Sequence, residues 1–118
     1  MKSQRGDVVT IDFPFASQSD SKLRPALVVQ CDRNNQRLSK TLLVQITGRL
    51  HPLNEPTRLF IDPQSPEAAG CGLKQPSVVS CENVLTVEQD SILRKIGHLS
   101  DTLMKRVEEC LRASFGIS

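Results

Sequence analysis

With 118 residues, 38% of them hydrophobic and 24% charged, the chain has room for one buried core and the composition of an ordinary globular domain, which excludes a disordered or fibrous protein. No apolar run approaches the roughly 20 residues of a membrane span, and no secretory signal is recognisable. The formal charge of +2 does not by itself mark a nucleic-acid binder, but residues 1–60 hold nine Lys and Arg against five Asp and Glu, while 61–118 hold six against eight, so the N-terminal half is expected to face a polyanion.

From the N-terminus, Asp7 to Phe13 alternates, with Val9, Ile11 and Phe13 on one face and Thr10 and Asp12 on the other, the period of a half-buried strand that Pro14 terminates. Ala16 to Lys22 is too polar to bury and rich in turn-forming residues, so it reads as a surface loop. Pro25 to Cys31 and Thr41 to Thr47 are apolar runs joined by a polar connection at Asp32 to Lys40, the pattern of an antiparallel hairpin. Thr57 to Asp62 is a short alternating strand. Pro63 to Pro76, with two glycines and three prolines, is a loop in which no regular element should persist.

Ser77 to Cys81 is a further β run that Val84 to Val87 continues past a kink. Ile92 to Leu99 fits either a helical turn or, because of Gly97, a last strand. Ser100 is an N-cap, Asp101 complements the positive helix end, Leu103, Val107, Cys110 and Leu111 share one face, and Gly116 is a stop, which together predict a C-terminal amphipathic helix. Cys31, Cys71, Cys81 and Cys110 show no C-x-x-C pair and no zinc-like spacing with histidine. Free thiols in a reducing cytoplasm are expected, with Cys31, Cys81 and Cys110 as small core residues. Short strands closed by one helix predict a mainly β domain spanning 1–118, a small antiparallel barrel covered by that helix, with no repeat or linker.

Arg5-Gly6-Asp7-Val8-Val9, then Asp12, then Ser21-Lys22-Leu23-Arg24-Pro25-Ala26-Leu27-Val28-Val29 resembles the opening of the MazF/PemK/Kid toxin family. Gln45-Ile46-Thr47, Ser77-Val78-Val79-Ser80-Cys81-Glu82-Asn83-Val84 and Ile96-Gly97-His98-Leu99-Ser100 resemble later family segments, so the likeness runs from about Arg5 to Gly116. It implies an SH3-like barrel, a homodimer, and sequence-specific, metal-independent cleavage of single-stranded RNA, leaving a 2′,3′-cyclic phosphate and a 5′-hydroxyl, with no cofactor. It also implies a cognate antitoxin that lies across the RNA-binding face, with DNA contacted only through that antitoxin, and no membrane.

Cleavage of RNA without metal uses the substrate's own 2′-OH, so the protein must align the 2′-oxygen with the leaving 5′-oxygen and stabilise charge on the phosphate. By the resemblance Arg24 is the catalytic arginine; its guanidinium fork matches phosphate oxygens, and because it is protonated at neutral pH it stabilises the transition state rather than acting as base. Thr47, the resemblance's catalytic threonine, can hydrogen-bond a phosphate oxygen. Some relatives carry a glutamate where this chain has Ser19, which leaves Asp20 as possible support. His51 and His98 are the only histidines, and nothing suggests that they share a site. Lys22, Arg49, His51, Arg58, Lys74 and Ser77 are the candidate RNA contacts. There is no Trp or Tyr, and Phe13, Phe60 and Phe115 are expected in the core with Phe15 free, so recognition is expected through arginine planes, backbone groups and loop shape. The readings from other classes are a non-catalytic barrel that binds nucleic acid or a protein such as gyrase, and a degenerate toxin that binds without turnover.

Overall fold

A computed structural model describes residues 2–12 and 23–118. The end of the first predicted strand at Phe13, the loop Ala16 to Lys22, and Phe15, Ser19, Asp20 and Lys22 lie outside the described residues. The elements in chain order are β1 (Asp7–Asp12), β2 (Leu23–Val28), α1 (Asp32–Arg37), β3 (Lys40–Thr47), β4 (Arg58–Ile61), β5 (Ser77–Glu88), β6 (Arg94–His98) and α2 (Asp101–Phe115). The strands form one antiparallel sheet in the order β4-β5-β3-β2-β1-β6, a curled half-barrel with α2 on one face. The predicted β-barrel with a closing helix is therefore present, with β4 and β6 as its edges.

Strand alternation assigns each residue to a face. On the helix face Val8, Leu27, Val44, Ile46, Val79 and Ile61 pack with Leu103, Met104, Val107 and Cys110 of α2. On the other face Val9, Ile11, Ala26, Val28 and Leu43 form a second buried cluster, flanked by Leu85, Val87 and Ile92. The expectation that β1 is half-buried needs correction: Val8 and Val9 are both buried, because the curled sheet covers the middle of β1 on both sides. Two-sided burial explains the unbroken apolar runs Ala26-Leu27-Val28 and Leu43-Val44.

The polar connection before β3 contains the six-residue helix α1, whose buried residue is Asn35 rather than an apolar one, so it lacked a hydrophobic period to read. β5 runs on through the expected kink: its partner register jumps from Gln45↔Ser80 to Val44↔Val84, so Cys81, Glu82 and Asn83 bulge out of the ladder. The ambiguous segment before α2 is strand β6, paired with β1. Pro63 to Pro76 holds only a turn of 3-10 helix at Pro66–Ala68, yet it is clamped to β6: His98 N–H donates to the Gly70 carbonyl at 2.9 Å, and a Cβ on Gly97 would overlap the Cys71 backbone.

The caps of α2 are as predicted. Ser100 Oγ accepts from the Leu103 N–H at 3.2 Å, and Gly116 at φ 69° closes the helix, with Ile117 N–H bonded to the Arg112 carbonyl. Cys81 and Cys110 are buried as expected, but Cys31 is exposed as the N-cap of α1, and Cys71 takes a core position under the Pro63–Pro76 loop.

Candidate functional site

Four neighbouring strands, β2, β3, β5 and β4, carry two rows of side chains across the face opposite α2. The row Ala26, Gln45, Ser80, Arg58 is defined by successive ladder pairs. Beside it lies the row Thr47, Val78, Phe60, and Arg24 extends this row on β2, two positions before Ala26 just as Thr47 is two positions after Gln45. Arg24 and Thr47 thus share a face at adjacent strand ends.

Pro25 shapes this end of the sheet. Val29 N–H donates to the Leu42 carbonyl at 3.0 Å, so by the alternation of an antiparallel ladder the positions of β2 that bond toward β3 are Val29, Leu27 and Pro25. Pro25 has no N–H to give, and the β2–β3 ladder ends at Ala26. The side chains just beyond its end are those of Arg24 and Thr47. No described residue forms a hydrogen bond or ion pair with the Arg24 guanidinium. Thr47 Oγ1 accepts from the Arg49 N–H at 3.1 Å, which orients the hydroxyl and leaves its hydrogen to donate.

The floor around this pair is polar and partly satisfied. Asn83, on the bulge of β5, donates to Gln45 Oε1 at 2.9 Å and to Ser80 Oγ at 3.3 Å. Gln45 keeps its amide hydrogens and Asn83 its carbonyl oxygen for a ligand. These two amides were not among the sequence candidates; Gln45 sits inside an apolar strand and Asn83 follows a strand break, and only the bulge brings them together.

The structure separates the remaining candidates. Arg58 is not a free phosphate finger: its side chain is 8% exposed, Nη2 donates to the Arg49 carbonyl at 3.0 Å, and Nη1 stands 3.7 Å from Glu82 Oε1. It braces the Arg49 turn, while its buried Nε finds no partner among the described residues. Arg49 is exposed beside Thr47, and His51 is exposed farther along the same loop. Lys74 is exposed in the segment before β5, whose Gln75 side chain approaches Gly48. Ser77 stands apart: it pairs with Ile61 on the helix face, is buried, and its Oγ donates to the Gln75 carbonyl at 2.9 Å. His98 lies on β6, where its Nδ1 is 3.1 Å from Asp7 Oδ1, a carboxylate also held by Lys95 at 3.2 Å.

Phe60 corrects the expectation of a core residue. It is 44% exposed on the same face and in the same row as Thr47, whereas its strand neighbours Leu59 and Ile61 pack against the helix-side core. Phe115 is also exposed, near the end of α2.

A curled sheet with an arginine, a hydroxyl and two amides on one face defines a small β-barrel protein whose candidate site carries the donor types that contact phosphate oxygens. Comparison with known proteins specifies the family. Residues 4–115 match the model of the PemK-like, MazF-like toxin of type II toxin–antitoxin systems, and the chain belongs to that family. It is 30% identical over 115 residues to "Endoribonuclease EndoA" of Bacillus subtilis, covering 97% of this chain and 95% of the relative. It is 29% identical to "Endoribonuclease MazF" of Staphylococcus saprophyticus, covering 97% and 92%. Among solved structures, a mycobacterial endoribonuclease in complex with its cognate antitoxin superposes with a TM-score of 0.76 at 20% identity, covering 98% of this chain and 97% of that one.

Proposed function

We propose that this chain, an endoribonuclease toxin of a type II toxin–antitoxin system, cuts single-stranded RNA at short sequences, without metal, by attack of the 2′-OH on the adjacent phosphorus. The observation that carries the reading is the placement of Arg24 and Thr47 on one face, just beyond the ladder that Pro25 ends. The 2′-oxygen forms its bond to phosphorus as the bond to the 5′-oxygen breaks, giving a 2′,3′-cyclic phosphate and a 5′-hydroxyl. Arg24 holds the non-bridging oxygens as negative charge grows on them, and Thr47 donates its hydroxyl hydrogen to one of them. The 2′-OH proton leaves to a base, for which Asp20 is the nearest carboxylate in sequence, and the 5′-oxygen takes up a proton. Arg49, His51 and Lys74 hold the flanking backbone.

Relatives solved together with an antitoxin support a cognate antitoxin for this chain as well, covering the same face and linking it to DNA only indirectly. We infer a homodimer acting in the cytoplasm, free of membranes. The test is incubation of the purified protein with a long single-stranded RNA in EDTA, beside Arg24→Ala. Discrete cuts by the wild type alone, ending in cyclic phosphate and 5′-hydroxyl, are expected. Intact RNA across several sequences would favour a binding module without turnover.

A further inference from the structure

The feature that the chemistry above leaves unused is Phe60. In a chain with four phenylalanines and no Trp or Tyr, one ring is 44% exposed on the site face of an edge strand, in line with Val78 and Thr47. Adjacent strands lie about 4.8 Å apart, so Phe60 is roughly 10 Å from Thr47 and about 15 Å from Arg24 across the sheet. That is too far to touch the reacting phosphate and near enough to meet a base flanking it.

The surroundings favour a flat, apolar ligand there. Val78, its ladder partner on β5, is apolar and adds no hydrogen-bonding group beside the ring. Arg58, two residues back on the same face, is a largely buried cation with a buried Nε that no described residue satisfies. An exposed ring between an apolar neighbour and an arginine has the composition of a base-stacking platform, in which each base presents a π-face whatever its identity. A phosphate would find no donor on Phe60.

We propose that Phe60 stacks a base flanking the cut phosphate, setting affinity for the single strand and the path it takes over β5 and β4. This rests on the endoribonuclease reading above. Phe60 is a positioning residue, so its loss raises KM and leaves kcat close to wild type.

Two measurements test it. On a long single-stranded RNA, Phe60→Ala is expected to raise KM about tenfold, Phe60→Tyr to restore it and Phe60→Leu to fail, because stacking needs a ring rather than bulk. The chain has no Trp or Tyr, so Phe60→Trp places a single indole at the platform. In the Arg24→Ala background, RNA is expected to quench its emission at concentrations where a labelled RNA shows binding. RNA bound in that background with the emission unchanged, or KM equal for Phe60→Ala and wild type, overturns the proposal, while cutting by the wild type keeps the endoribonuclease reading. A Phe60→Ala protein that changes oligomeric state also overturns it, by making Phe60 an interface residue. A wild type that neither binds nor cuts RNA removes the endoribonuclease reading, and the stacking role with it.

Discussion

Two polar regions of this molecule use the same residue types to opposite ends. Around α1, Gln30, Asn35, Thr41 and Gln89 are buried and close on one another. Gln30 Nε2 donates to Asn35 Oδ1 and to the Lys40 carbonyl, each at 2.9 Å, and Thr41 Oγ1 donates to Asn35 Oδ1 at 2.6 Å. Gln89 Nε2 donates to the carbonyls of Asn35 and Leu38, while its Oε1 accepts from Ser3 N–H at 2.7 Å. On the site face, among the described residues, Gln45, Thr47 and Arg24 keep donors unpaired and Asn83 keeps its carbonyl oxygen. Buried polar groups are satisfied nearly everywhere in folded proteins, so donors held open at a surface locate function better than polarity itself does. The first region fixes α1 and the N-terminus to the sheet; the second is the face on which the proposed cleavage takes place.

That contrast breaks if residues of the two regions respond alike to substitution. The largest effect is expected for Arg24→Ala: cleavage falls by about 10³-fold, roughly 4 kcal/mol of transition-state stabilisation, with the melting temperature unchanged. Initial rates on one RNA beside a thermal melt check both halves. Asn35→Ala should do the reverse. It takes the acceptor from one Gln30 amide hydrogen and from the Thr41 hydroxyl, and the donor from the Gln30 carbonyl, and costs about 3 kcal/mol of stability, read as a lower urea midpoint, while the rate per folded molecule holds. A fall in both quantities for either variant would merge the two regions. Thr47→Val removes one neutral donor and is expected to lower kcat about tenfold with little change in stability. A rate equal to wild type would leave Thr47 a strand-end residue only.

The same contrast explains what could be read in the sequence. β2, β3, the kinked β5 and α2 were legible because each has an apolar period or a cap: Ser100 and Gly116 delimit α2 before any contact is known. α1 was not, because its stabilising contact is the amide of Asn35, and buried amides leave no hydrophobic period. Arg24 and Thr47 are singled out in the sequence by the motif around them, not by their own chemistry, and the structure sets them on one face. The placement of Gln45, Asn83 and Phe60 on the site face could not be read from sequence, because which face of a strand a residue occupies depends on register and bulge. Phe60 follows the alternation of Leu59 and Ile61, but from sequence alone nothing says that the other face of β4 is open. Ser77 failed for the same reason in the opposite direction, since it turns to the helix side.

The smallest effect concerns groups that belong to neither region, the thiols between β5 and α2. Burial, with Cys110 alongside, raises the pKa of Cys81 from the ordinary thiol value of 9.0 to about 12, and burial raises that of Cys110 as well. A thiol kept neutral in the folded protein but free to ionise when unfolded makes the unfolded state hold fewer protons above pH 9, so stability falls as pH rises. The contribution of Cys81 is therefore fully present below pH 9 and declines from there to about pH 12. Urea midpoints across that window should fall less steeply for Cys81→Ala than for wild type, whatever their offset at neutral pH. At neutral pH a thiol reagent should label exposed Cys31 at once and reach Cys81 and Cys110 only as fast as the protein opens. Labelling of Cys81 as fast as Cys31 would mean that the contact between α2 and β5 opens far more readily than the bond of Ser114 Oγ to the Cys81 carbonyl, 2.6 Å long, implies.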